Sequence, residues 1–97
     1  MSELDKIRKL LQQNKSVLRR EFKMKEMGIF GSYVQGKHKK NSDVDILVTF
    51  SETPGLFDYV RMENRLSAML HKKVDLVMKE SLKPNIGRNI LREVVYV

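Results

Sequence analysis

The sequence predicts a small α/β (α+β) domain in which helices pack on a short mixed sheet. Three observations predict it. Apolar residues recur at helical spacing near both ends of the chain. Three short runs, residues 27–30, 43–50 and 73–78, are apolar, the second and third rich in β-branched residues, and read as strands. Between the second and third lies a stretch, 57–70, with the length and spacing of a helix packed on a sheet.

Each element has its own warrant. Ser2 followed by Asp5 resembles a capping box with Asp in place of Glu. Leu4, Ile7, Leu10 and Leu11 then follow at helical spacing. Asn14 interrupts them, so two helices are expected, the second on Val17, Leu18 and Phe22. Residues 27–30 fit a buried strand, and glycine ends it. Residues 32–35, held between Gly31 and Gly36, suit one helical turn, and 37–42 read as a polar loop. The second strand, 43–50, leads into a turn containing Pro54 and Gly55. The helix over 57–70 carries its apolar residues at 57, 60, 62, 66, 69 and 70. After the third strand, Pro84 suits a helix first turn, continued by Ile86, Ile90 and Leu91 with Gly87 as a weak point. Residues 94–97 form a short strand or an apolar tail. The link between the first two strands is about a dozen residues, near the minimum for a parallel crossover, so antiparallel pairing is at least as expected.

Composition narrows the function classes. Ninety-seven residues predict one domain spanning 1–97. With 41% hydrophobic and 32% charged residues, the chain reads as globular, not disordered. No apolar run approaches the ~20 residues of a membrane span, and residues 1–5 lack the pattern of a signal peptide, so a cytoplasmic protein with no membrane partner is expected. The absence of cysteine removes disulfides, thiolate zinc sites and cysteine nucleophiles. The net charge of +7 favours a polyanion, a phosphorylated ligand or an acidic protein as partner. Direct nucleic-acid binding is not expected. It would interleave aromatic with basic residues, whereas aromatics are 7% and unclustered. Residues 94–97 offer an apolar edge, which leaves room for a homo- or hetero-oligomer.

Three features carry chemistry. Gly31-Ser32 follows an apolar strand, where glycine permits positive φ and close approach to a ligand, and a following helical turn offers free N–H groups to phosphate. Asp43 and Asp45 open the next strand. Side chains two apart on a strand share a face, and their Cα atoms lie roughly 6.5 Å apart. Such a pair can hold one or two hard cations such as Mg²⁺. Asp75 sits between Val74 and Leu76 in the third strand, where a buried carboxylate needs a partner, Lys72 or Lys73, or a metal. On neighbouring strands Asp43, Asp45 and Asp75 would form a carboxylate triad, and Mg²⁺ held there would bridge nucleotide phosphates.

Taken together, Gly31-Ser32, ten intervening residues, Asp43-x-Asp45 and a later strand Asp75 resemble the nucleotidyltransferase superfamily that includes DNA polymerase β. Over nearly the whole chain, from the basic first helices through Ile29-Phe30-Gly31-Ser32-Tyr33 to the tail Asn89–Val97, the sequence is similar to the minimal nucleotidyltransferase domain of the MntA-type antitoxin group. The resemblance implies a nucleotidyltransferase fold. It implies that Gly31 and Ser32 hold the ATP phosphates, that Asp43 and Asp45 ligate two Mg²⁺ ions, and that Asp75 completes the second metal site and helps activate the acceptor hydroxyl. It implies transfer of AMP from ATP to a tyrosine of a cognate HEPN-domain toxin, with release of pyrophosphate. One departure stands out. The family pattern after Gly-Ser is x-Ala-Arg-Gly, and here it is Tyr33-Val34-Gln35-Gly36. Gln35 for Arg removes a charged, bidentate phosphate contact, which bears on catalytic rate and partner recognition. The alternative expectation is an antitoxin that neutralises its partner by contact on a weak or inactive site.

Overall fold

The computed structural model describes residues 1–97. The elements in chain order are α1 (Glu3–Phe22), β1 (Met24–Phe30), α2 (Ser32–Gln35), β2 (Val44–Phe50), α3 (Leu56–Leu70), β3 (Val74–Met78), a 3-10 turn (Lys79–Ser81), α4 (Pro84–Glu93) and β4 (Val95–Tyr96). The four strands form one sheet in the order β3-β2-β1-β4. β1 runs antiparallel to both β2 and β4, while β2 and β3 are parallel, joined through α3.

The residues explain these elements. Ser2 caps α1: its hydroxyl accepts the Asp5 N–H at 3.1 Å. The expected break at Asn14 does not occur. The Asn14 amide turns back and donates to the Leu10 carbonyl at 2.8 Å, so the polar residue is accommodated inside one 20-residue helix. Ile7, Leu11, Leu18 and Phe22 continue a single buried stripe across it. β1 starts earlier than expected, at Met24, because Lys25 and Glu26 project outward around a bulge while Met24 is buried.

α3 corrects the expected apolar face. Met62, Leu66 and Leu70, four residues apart, are its buried side. Phe57 is 87% exposed. It lies five residues before Met62, roughly 140° around the helix at 100° per residue, so it falls off that stripe.

The main core lies between one face of the sheet and helices α1 and α3. It gathers Ile7, Leu11 and Leu18 from α1, Met27 and Ile29 from β1, Ile46 and Val48 from β2, and Leu66 from α3. Strand alternation sends Asp45 and Leu47 of β2, and Asp75 and Val77 of β3, to the opposite face. The acidic pair thereby stands on the face opposite the main core, beside Leu47, which is itself buried.

Candidate active site

The site is built at the end of the sheet where β1 stops and β2 and β3 begin. Phe30, the last residue of β1, pairs with Asp45, and Asp45 is directly opposite Asp75 in the parallel β2–β3 ladder. One strand register therefore sets Gly31 beside Asp45 and Asp45 beside Asp75. Asp43 precedes β2 and is held by the loop before it. The Tyr33 hydroxyl donates to the Ser42 carbonyl at 3.2 Å, Ser42 Oγ accepts the Lys39 N–H at 2.7 Å, and the Val44 N–H donates to the Lys73 carbonyl at 2.9 Å. Tyr33 is buried beneath this loop and stacks on His38, with ring centroids 4.4 Å apart. Its hydroxyl thus ties α2 to the residue just before Asp43.

Gly31 is required where it stands. Its φ is +81°, and a Cβ built there would run into the Asp45 carboxylate. The turn of α2 thus passes directly over Asp45. Opposite it, the Gly31 N–H donates to Glu93 Oε1 at 3.0 Å, and the Gln35 side-chain amide donates to Glu93 Oε2 at 2.8 Å.

The electrostatics are those of an uncompensated acidic cluster. Burial, then the charges of Asp75, Asp43 and Glu93, push the Asp45 carboxyl up to about 6. None of the ion pairs in the chain involves Asp43, Asp45, Asp75 or Glu93. Lys72, one expected partner of Asp75, lies instead 3.8 Å from Glu3. Asp75 is also exposed, not buried, because it projects from an edge strand on the face that α1 and α3 do not cover. Its presence needs no buried counter-charge.

The donor chemistry of this cluster, hard carboxylate oxygens with no ion-pair partner, fits a divalent metal such as Mg²⁺. In the side-chain arrangement present, no three acidic or histidine groups converge closely enough to grip an ion.

The residue that sequence reasoning missed is Glu93. It lies 62 positions from Gly31, so no local spacing links them. One signal was available: an acid in the last turn of a helix opposes the helix dipole, and a residue kept in an unfavourable place has a use elsewhere.

Comparison with known proteins shows the family of the chain. The nucleotidyltransferase domain family matches residues 4–97. The chain is 50% identical over 97 residues to the protein adenylyltransferase MntA of Thermococcus cleftensis, covering 100% of this chain and 98% of that protein. A minimal nucleotidyltransferase structure superimposes with a TM-score of 0.81 at 29% identity, covering 98% of this chain and 95% of the other. A toxin–antitoxin structure with AMP-PNP superimposes with a TM-score of 0.70 at 29% identity, covering 99% of this chain and 72% of the other. A Gly-Ser turn lying over a strand aspartate that faces a second one, in a chain matched from end to end, makes this protein a member of the nucleotidyltransferase domain family, in its minimal, MntA-type group.

Proposed function

We propose that this chain transfers AMP from ATP to a tyrosine hydroxyl of a cognate HEPN-domain toxin in the cytoplasm, and so acts as the antitoxin of the pair. The observation that carries this reading is the register that stacks Gly31, Asp45 and Asp75, in a chain 50% identical throughout to a protein adenylyltransferase. Gly31 and Ser32 would receive the β- and γ-phosphates. Asp43 and Asp45 would hold two Mg²⁺ ions, with Asp75 completing the second site. When bound, the metal supplies charge neutralisation on the phosphates and a lower pKa for the attacking hydroxyl. The chain's own part is geometric. The α2 turn fixes the triphosphate above Asp45, and Asp75 orients the acceptor oxygen in line with the α-phosphate. The tyrosine hydroxyl gives its proton to Asp75, its oxygen forms the new bond to the α-phosphorus, the bond from that phosphorus to the oxygen bridging to the β-phosphate breaks, and pyrophosphate leaves.

A second reading has one specific observation behind it. Gln35, at the usual arginine position, is engaged by Glu93 and brings no positive charge to the phosphates. A chain so altered would neutralise its partner by contact. One experiment separates the two. The purified protein is incubated with α-labelled ATP, Mg²⁺ and the protein encoded beside it, with Asp43→Ala/Asp45→Ala as control. Whole AMP mass increments on the partner, absent with the control, establish transfer. Tight complex formation by both versions without label transfer overturns it in favour of contact.

A further inference from the structure

Helix α4 ends on an acid, against its own dipole. Glu93 is partly buried there, and both of its carboxylate oxygens are used. Oε1 accepts the backbone N–H of Gly31 at 3.0 Å, and Oε2 accepts the side-chain amide of Gln35 at 2.8 Å. These partners bracket the half-buried Ser32, one residue before it and three after it. Hydrogen bonds to an ionised acceptor are roughly twice as strong as neutral ones. The strut is also anchored behind. Directly after Glu93 the Val94 N–H closes on the Ile90 carbonyl, and β4 then pairs with β1. One carboxylate therefore ties the end of β1, the whole of α2 and the end of α4 into a single unit.

We infer that Glu93 is a positioning residue for the nucleotide: a carboxylate strut that holds the Gly31–Gln35 turn in the shape that presents Ser32 to phosphate, with Gln35 serving as its partner and not as a phosphate ligand. The inference rests on the reading of that turn as the phosphate cradle. It gives the Gln35 substitution a physical place. A neutral amide completes the strut without a second charge, and the turn keeps its shape without an arginine.

The test uses four proteins: wild type, Glu93→Ala, Glu93→Gln, and the exchange Gln35→Glu/Glu93→Gln. The exchange preserves both hydrogen bonds and reverses only the one to residue 35: the new amide oxygen still accepts from Gly31, and the new amide nitrogen donates to the new carboxylate at position 35. AMP-PNP binding in the presence of Mg²⁺ is followed by calorimetry, unfolding by thermal melt, and AMP transfer by KM and kcat for ATP. Glu93→Ala should weaken AMP-PNP binding and raise KM roughly tenfold to a hundredfold, the loss of one or two charge-assisted bonds, with kcat changed less than threefold. Glu93→Gln should fall between. The exchange should return binding to within about threefold of wild type. The inference is overturned if Glu93→Ala binds AMP-PNP as wild type does. It is equally overturned if binding falls only in step with the melting temperature and the exchange restores neither. A wild type that takes up no AMP-PNP would instead bring down the reading of the turn as a phosphate cradle, and this inference with it.

Discussion

Asp45 is the residue on which stability and function pull against each other. Its carboxyl titrates near 6 in the fold against 3.8 in a free chain, because of burial first and of Asp75, Asp43 and Glu93 after it. Below about pH 4 it is protonated in both folded and unfolded chains. As the pH rises through 4 to 6 the unfolded chain loses its proton more readily, so stability is lost across that window and stays lost at neutral pH. Asp45→Asn should therefore raise the melting temperature at pH 7.5, with the gain shrinking as the pH falls toward 4, while abolishing AMP transfer. Mg²⁺ should raise the wild-type melting temperature at pH 7.5 and leave that of Asp45→Asn nearly unmoved. A lower melting temperature for Asp45→Asn at pH 7.5 would contradict this account. The same residues show what could be read in advance. Gly31-Ser32 on one turn and Asp43-x-Asp45 on one strand start are local patterns within fifteen positions, while the β1–β2 register is what sets Gly31 beside Asp45. The exposure of Asp75 was not legible, because alternation in one strand does not tell that the strand will lie at the sheet's edge, where its outer positions stay uncovered. Glu93 was not legible either, since its contacts close only when the last strand pairs with the first.

At the scale of elements, most boundaries follow from local chemistry, and the departures come from tertiary contacts. The one-turn helix between two glycines, the proline start of α4 and the strands of residues 44–50 and 74–78 all follow their residues. Asn14 breaks the apolar pattern but not the helix, since its side chain serves the Leu10 carbonyl and its neighbours stay on the core. The edge strand β3 shows what a pattern cannot reveal. Its outer side is closed by side chains of α3: Glu63 Oε2 accepts the Leu76 N–H at 3.1 Å, the Tyr59 hydroxyl donates to the Leu76 carbonyl, and Ser67 Oγ accepts the Val74 N–H at 3.0 Å. An open edge invites pairing with another chain, and here three side chains occupy it. Glu63→Ala should cost about 1 kcal/mol and speed hydrogen exchange at the Leu76 amide, with the amides of β1 unaffected. Uniform loss of protection across the sheet would mean that Glu63 supports the whole fold and not this edge.

At the scale of the molecule, the layout is thin and its margin narrow. The shortest dimension is 19 Å, about what a sheet and one helix layer require, since sheet and helix layers pack about 10 Å apart. Only 20 of 97 residues are buried, so a total stability of roughly 5–15 kcal/mol rests largely on the single interface of α1 and α3 with the sheet. Leu66 stands fully buried at its centre. Leu66→Ala should cost roughly 2–5 kcal/mol, and at roughly 4–8 °C per kcal/mol for a chain of this size the melting temperature should fall by about 8 °C or more. Its transfer activity at a temperature well below that midpoint should stay close to wild type, because the acidic face is shaped by the β1–β2–β3 register and the Glu93 strut, not by the far side of α3. Asp45→Asn should do the reverse, melting higher and transferring nothing. The two variants thus divide the molecule by face: the covered side governs whether the chain folds, and the acidic side governs what the folded chain does. If Leu66→Ala lost activity while still folded, the two faces would be coupled through the sheet, and the strand register would then depend on core packing as well as on its own ladder.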